Sequence, residues 1–282
     1  MLHIALPNKG ALSDAAIALV AEAGYRCARA GRELCMPDTE NDVEFFFLRP
    51  RDIAVYVSQG VIDVGITGRD LNLDAANPAA EIMPLGFGRS KFRYAVPKDS
   101  DLTPECFGGL RIACSYPNIV RRDLESRGVQ AAIVQVDGAV EVSIRLGVAD
   151  AVADVVDSGQ TLREAGLKTV GDVVIESEAV VIARSPETAA LPQVDKFLKR
   201  IQGIVVARGY AMIEYDIRRD LLAHAVQLTP GIEAPTISPL NDPAWVAVKA
   251  MAKKKGMNAL VDALADLGAK GIVVTDIRTC RL

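Results

Sequence analysis

The N-terminal third of the chain alternates short apolar runs with stretches of helical character, and this alternation restricts the fold more than any other property of the sequence. Leu2 to Pro7, Val43 to Leu48 and Val61 to Asp70 read as strands, the last ending in a glycine-bearing turn. Between them stand one helix with Ile17, Val20 and Ala21 on its apolar face, capped by Ser13 and stopped by Gly24, and a second over Ile53 to Ser58. Strands joined by helical crossovers predict a parallel sheet covered by helices. Such sheets hold ligands outside the carboxyl ends of their strands, so the residues that follow each apolar run are the first candidates for a site.

Beyond Pro84-Leu85-Gly86-Phe87-Gly88 the strand Phe92 to Pro97 crosses into a second lobe, which adds strands at Arg111 to Cys114, Ala132 to Val136 and Asp150 to Val156. A β-rich return over Val173 to Ala183 and a helix over Val194 to Arg208 lead back to the first lobe. Two crossings imply a cleft between two α/β lobes. From Asp216 the character changes: helix Arg218 to Ala223, a strand-rich stretch from Val226 to Leu240, strand Trp245 to Met251, helix Asn258 to Leu267 and strand Gly271 to Arg278. That order predicts a small α+β domain of about 65 residues, near the lower end of domain size.

Composition limits function by exclusion. The 282 residues are half hydrophobic and carry a formal net charge of -4, which argues against a nucleic-acid scaffold. No stretch approaches the roughly 20 apolar residues that cross a bilayer. Met1 to Leu6 is too short, and lacks the basic flank, for a signal peptide, so a cytoplasmic location is expected. The five cysteines Cys27, Cys35, Cys106, Cys114 and Cys280 are odd in number and form no C-x-x-C pair, which reads as reduced packing residues rather than a zinc site. With only His3 and His224, histidine-based triad chemistry is not expected.

The most chemically informative stretch is Asp150 to Leu162, DAVADVVDSGQTL. An apolar strand carries the acid Asp154 and runs into the loop Asp157-Ser158-Gly159-Gln160-Thr161, which offers backbone N–H groups and two hydroxyls for an anion. The same residues also serve as ordinary caps and turns. Carboxylates beside a phosphate would repel it unless they face ribose hydroxyls or a magnesium ion, so the combination points to a phosphorylated sugar. Across the predicted cleft, Lys9, Arg49, Arg51, Arg69 and Asp70, with Ser90, Lys91 and Arg93 at the crossing, gather near strand ends. Single lysines and arginines are mostly exposed surface charges, but their clustering favours a cationic cleft for a polyanion.

The run from Asp137 to Leu167, DGAVEVSIRLGVADAVADVVDSGQTLREAGL, resembles the phosphoribosyl-pyrophosphate signature of the ATP phosphoribosyltransferase family, which opens histidine biosynthesis. LPNKG at Leu6 to Gly10, RPRDIAVYV at Arg49 to Val57 and GVIDVGITGRD at Gly60 to Asp70 resemble its nucleotide-side segments. The resemblance implies a two-lobed catalytic part like the type II periplasmic-binding-protein architecture, followed by a ferredoxin-like α+β regulatory domain. The expected division is 1–90 plus 184–212 for the nucleotide lobe, 91–183 for the phosphoribosyl-pyrophosphate lobe and 213–282 for the histidine-sensing domain.

The implied reaction joins N1 of the ATP adenine to C1 of phosphoribosyl pyrophosphate with loss of pyrophosphate. By the match, Lys9, Glu141 and Asp154 carry catalysis, with Glu141 and Asp154 also the expected contacts of Mg2+. Glu141 reads equally well as a helix-surface carboxylate. Asp154, Asp157, Ser158, Gly159, Gln160 and Thr161 bind phosphoribosyl pyrophosphate; Lys9, Arg49, Arg51, Asp70 and Ser90 bind the nucleotide. Asp157 stands where relatives often have a small or neutral residue, and is expected to point outward. In the last domain Asp216, Ile232, Ala234, Thr236, Met251 and Gly271 are carried over as the histidine site, Ala234 standing where relatives offer a serine hydroxyl.

Further expectations are feedback inhibition by histidine, AMP as a possible competitor, and a homo-oligomer between dimer and hexamer. Lys253-Lys254-Lys255 reads as a solvated loop, with an anion site as its alternative. The competing classes are a non-catalytic bilobal sensor or solute-binding protein and a type I phosphoribosyltransferase acting on another base. The latter would place its phosphate loop within a single Rossmann-like core.

Overall fold

The structure is a computed structural model that describes residues 1–28, 31, 33–156 and 159–281. Two compact units divide it: Met1–Ala21 with Tyr25–Lys196, and Glu22–Gly24 with Phe197–Leu282. The first unit holds two sheets. Its opening segment is β1 (Leu2–Pro7), α1 (Ala11–Glu22), β2 (Cys35–Asp38), β3 (Val43–Leu48), α2 (Pro50–Ser58), β4 (Val64–Gly68), α3 (Arg69–Asp74) and β5 (Ala80–Pro84). Strand β1 runs parallel to both β3 and β4, as the alternation predicts.

Every residue of β4 is buried, because helices and neighbouring strands cover it on both faces. Two glycines make that position tenable. A Cβ at Gly65 would collide with Ile53 of α2, and one at Gly68 would collide with the Asp70 carboxylate. Ser13 does not cap α1: it lies inside the helix, and its hydroxyl donates to the Pro7 carbonyl at 2.9 Å.

The second sheet follows: β6 (Ser90–Pro97), β7 (Arg111–Cys114), α4 (Pro117–Ser126), β8 (Ala132–Gln135), α5 (Val142–Arg145), β9 (Ala151–Val156), α6 (Gln160–Glu164) and β10 (Leu167–Ser177). The strand order is β10-β6-β9-β7-β8, with β7 parallel to β8 and β9 and with β6 antiparallel to β9. Phe92, Tyr94, Phe107, Ile112 and Ala153 fill one face, while Ala95, Val152, Leu162 and Leu167 pack on the other. Each such fully buried large side chain contributes about 1.5–3 kcal/mol.

The expected return over Val173 to Ala183 is two strands in different sheets. After Ser177 the chain crosses back, and β11 (Ala179–Ala183) pairs antiparallel with β4 and β5 in the first sheet, whose order is β2-β3-β1-β4-β11-β5. The second lobe therefore does not extend to residue 183. The crossover at Glu178 separates two apolar runs that read as one.

α7 (Pro186–Ala189) and α8 (Pro192–Gly209) come next, and the boundary between the two compact units falls inside α8, whereas the expected division runs on to residue 212. Arg208 of α8 pairs with Glu22 at 2.8 Å and the Cys280 N–H donates to Gly203, which ties the later turns of α8 to the second unit.

That unit continues with β12 (Tyr210–Arg218), α9 (Leu222–Leu228), β13 (Thr236–Pro239), β14 (Trp245–Lys253), α10 (Met257–Asp266) and β15 (Lys270–Asp276). The βαββαβ order and the antiparallel sheet β13-β14-β12-β15 form the ferredoxin-like sandwich. Two local expectations are corrected: Arg218 ends a strand rather than opening a helix, and Val226 to Leu228 are helical. Alternate residues Ala211, Ile213, Tyr215 and Ile217 are buried against the α9/α10 side.

Candidate active site

Because β1, β3 and β4 are parallel, the segments after them emerge on one edge of the first sheet. Lys9, Arg49, Arg51 and Asp70 all stand there. Lys9 and Arg49 are exposed. Asp70 is 6 % exposed, and its Oδ1 accepts from the Ser177 hydroxyl at 2.9 Å while that hydroxyl accepts from the Asp70 N–H at 3.0 Å. Ser177 sits at the crossover, so the acid is fixed by the segment that joins the sheets.

The second sheet presents its own carboxyl edge: Ser115 and Tyr116 after β7, Glu141 before α5, and Gly159 after β9. The two edges are tied directly. Arg51 donates to Asp74 Oδ2 and to the Ser115 carbonyl, both at 2.6 Å, and its guanidinium lies 5.1 Å over the Tyr116 ring. Buried Asp74 also accepts the Asn118 and Ile119 N–H groups at 2.9 and 3.2 Å, satisfying orphan donors at the start of α4. The Tyr116 hydroxyl bonds Asp70.

Electrostatics mark the centre of this arrangement. Burial pushes the Asp154 carboxyl up to about 6, and the negative fields of Glu141 and Asp70 push the same way against a hydrogen bond from the Val155 N–H. Burial, then the Asp70 and Asp154 charges, raises the Tyr116 phenol. Three carboxylates from separate segments therefore share one field, which a cation or ribose hydroxyl donors would relieve. Among the described residues no ready-made group of three metal ligands occurs.

The structure thus brings together Asp70, Arg51, Asp154 and Glu141, with Lys9 and Arg49 on the same edge as Asp70. Gly159 opens α6 in the left-handed region at φ 70°, and Gln160 and Thr161 follow it, both exposed. Asp157 and Ser158 lie outside the described residues, as does the expected orientation of Asp157. Ser90 opens β6 and lines a cavity of 520 Å³ with Arg69, Arg89, Lys91 and Ser177. Sequence reasoning missed Asp74, Tyr116 and Ser177. Only Tyr116 left a local signal, since it follows a strand and precedes a helix-opening proline.

In the second unit the six expected residues fall in separate places. Ile232 and Met251 line a cavity of 460 Å³ with Tyr210, Thr229, Lys253 and Lys255. Asp216 and Gly271 adjoin: a Cβ on Gly271 would lie 3.8 Å from Asp216 Oδ2. Asp216 and Met251 share the sheet face opposite the helices, but the Glu214–Lys249 ion pair at 2.6 Å stands between their rows. Thr236 is exposed on the outer strand β13, and Ala234 lies at the turn before it, against Gly231.

Comparison with known proteins gives these positions a context. Residues 49–203 match the family model described as ATP phosphoribosyltransferase, and 207–279 match the C-terminal domain model of the same family. An ATP phosphoribosyltransferase of Salinibacter ruber is 54 % identical and one of Pseudarthrobacter chlorophenolicus 53 %, each covering 100 % of both chains. Among solved structures, the ATP phosphoribosyl transferase (HisG:HisZ) complex from Thermotoga maritima matches with a TM-score of 0.63 and 27 % identity, over 72 % of this chain and 97 % of that one.

Proposed function

Because the chain belongs to the ATP phosphoribosyltransferase family, we propose that the carboxylates and cations facing each other across its two sheets carry the reaction of that family. The protein is a pentosyltransferase that condenses ATP with phosphoribosyl pyrophosphate to N1-(5-phosphoribosyl)-ATP and pyrophosphate, the opening step of histidine biosynthesis. The observation that carries the assignment of residues is the shared field of Asp154, Glu141 and Asp70, in which Asp154 is held near 6.

The attacking adenine N1 already has a lone pair, so no strong general base is required. The chain must instead align two large anions and stabilise positive charge at the ribosyl carbon as its bond to pyrophosphate breaks. Ionised Asp154 and Glu141 lie on the phosphoribosyl side and accept from ribose hydroxyls. Gly159, Gln160 and Thr161, with the expected Asp157 and Ser158, hold the 5-phosphate. Lys9, Arg49 and Arg51 meet the ATP phosphates, while Asp70, fixed by Ser177, and Ser90 position the nucleotide. AMP, sharing the adenylate part, would compete there.

Family membership supports a metal-dependent nucleotide transferase. The donor set fits magnesium, since hard carboxylate oxygens of Asp154 and Glu141 suit an ion that also takes substrate phosphates. Bound there, it would neutralise the departing diphosphate. The test is isothermal titration of phosphoribosyl pyrophosphate into the protein and into Asp154→Asn and Glu141→Gln variants. Weakened binding in both supports the assignment, and wild-type affinity in both refutes it.

The ferredoxin-like unit is the proposed histidine sensor. Asp216 would pair with the amino group, Thr236 with polar atoms, and Ile232, Ala234, Met251 and Gly271 would shape the pocket. Since these residues fall in separate places within one chain, a homo-oligomer, dimer to hexamer, is part of the reading. Among the described residues no helix is long and apolar enough to cross a membrane, and cytoplasmic residence goes with the biosynthetic role.

A further inference from the structure

Arg69 stands in the group of cations that the sequence places along the cleft, yet the structure commits it elsewhere. Its Nε and Nη2 fork on the Glu81 carboxylate of β5, at 2.9 and 2.7 Å, and its Nη1 lies 3.6 Å from the Glu178 carboxylate. Two carboxylates outweigh one guanidinium, so this side chain offers a phosphate little net attraction.

What the guanidinium holds is the return crossing between the two sheets. Nη1 donates to the Glu176 carbonyl at 3.2 Å, and the Arg69 backbone N–H donates to the Glu178 carbonyl at 3.0 Å. These two bonds bracket Ser177. The Ser177 hydroxyl in turn accepts the Asp70 N–H at 3.0 Å and donates to the Asp70 carboxylate at 2.9 Å. Four bonds therefore set a single register between residues 69–70 and residues 176–178. The outgoing crossing joins the same set, because the other oxygen of Glu178 accepts the Gly86 N–H at 2.8 Å. Arg69 is 23 % exposed and Glu178 17 %, so the arrangement is sheltered from the screening that weakens surface ion pairs.

We propose that Arg69 is a positioning residue for nucleotide binding: by gripping Glu176 and Glu178 it seats Ser177, and Ser177 turns the Asp70 carboxylate toward the nucleoside part of the substrate. The inference rests on the reading of Asp70 as a nucleotide contact. It adds that the orientation of this acid is set by the chain joining the sheets, through a side chain that touches no substrate.

Isothermal titration of AMP, ATP and phosphoribosyl pyrophosphate tests it, on the full chain and on Arg69→Gln, Ser177→Ala and the double variant. Arg69→Gln should weaken AMP and ATP by the same factor, about tenfold, and leave phosphoribosyl pyrophosphate unchanged. Ser177→Ala should do likewise, and the double variant should lose no more than either single one. Arg69→Lys supplies the same readings if the glutamine variant does not fold. It keeps the charge, but one ammonium cannot grip Glu81 and the Glu176 carbonyl together, and AMP should bind at least about threefold more weakly. Wild-type AMP affinity in either variant at position 69 would overturn the proposal. Loss confined to ATP would mean that Arg69 meets phosphates directly, equal loss of all three ligands only a loosened fold, and additive losses that Ser177 is not the intermediary; each overturns it as well. Wild-type AMP affinity in Asp70→Asn would instead refute the nucleotide role of Asp70, which tells the two failures apart.

Discussion

At the scale of single residues, the account turns on Asp154. Its carboxyl titrates near 6 in the fold against 3.8 when free, first because it is buried and then because Glu141 and Asp70 repel its charge. An acid whose native pKa is raised binds its proton more tightly folded than unfolded, so its contribution to stability is lost as pH rises from about 4 through about 6. Asp154→Asn cannot ionise and should therefore melt higher than the parent above pH 6, with the two converging near pH 4. At about 1.4 kcal/mol per unit the gain is at most about 3 kcal/mol, and about 1–2 kcal/mol once partial exposure is discounted. Thermal melts at pH 4.5 and 7.5 check this, and an equal difference at both would remove the explanation. Asp70 is legible in the sequence because it follows an apolar strand. Its anchor Ser177 is 107 positions away, and no local pattern connects them.

Among elements, the linkage of α3 to α4 is the feature that holds the two edges together. Asp74 receives Arg51 and two α4 N–H groups while 3 % exposed. Asp74→Ala leaves those donors unpaired and should cost about 3 kcal/mol in urea denaturation. The expected accompaniment is a raised KM for ATP, since Arg51 loses its orientation. Gly65→Ala places a methyl against Ile53 of α2 and should cost about 1–3 kcal/mol by the same measurement; an unchanged midpoint would mean that α2 yields freely.

The regular elements were readable where apolar period and punctuation agree, as for β1, β3 and β7. They were not where two strands abut without a turn, as at Ser177 and Ala179. Tyr210–Arg218 has clean alternation, yet it follows α8 without a breaking proline, so nothing in the sequence marks where the strand begins. The Val226–Leu228 stretch holds one β-branched residue and stands before a proline, yet it is helical, because the adjoining Ala225 packs into the ferredoxin-like core.

For the whole molecule, two units with separate cores predict unfolding in more than one step, so a single midpoint would not describe it. Regulation belongs at this scale. Asp216→Ala should leave turnover without histidine unchanged and raise the histidine concentration for half-inhibition by about tenfold or more. Steady-state inhibition curves measure it, and an unshifted curve would remove Asp216 from the sensor. The cleft logic was legible from sequence, because parallel strands dictate a common carboxyl edge. The opposing edges were not, since Arg51 meets Ser115 and Asp74 meets Asn118 across long stretches of chain. The central claim is that Asp154 and its facing cations handle the activated ribose. Its most direct test is the ultraviolet change of the adenine ring when protein, magnesium, ATP and phosphoribosyl pyrophosphate are mixed. The parent should form the adduct, and Asp154→Asn should form it at least about a hundredfold more slowly with its fold intact. Equal rates would contradict the account.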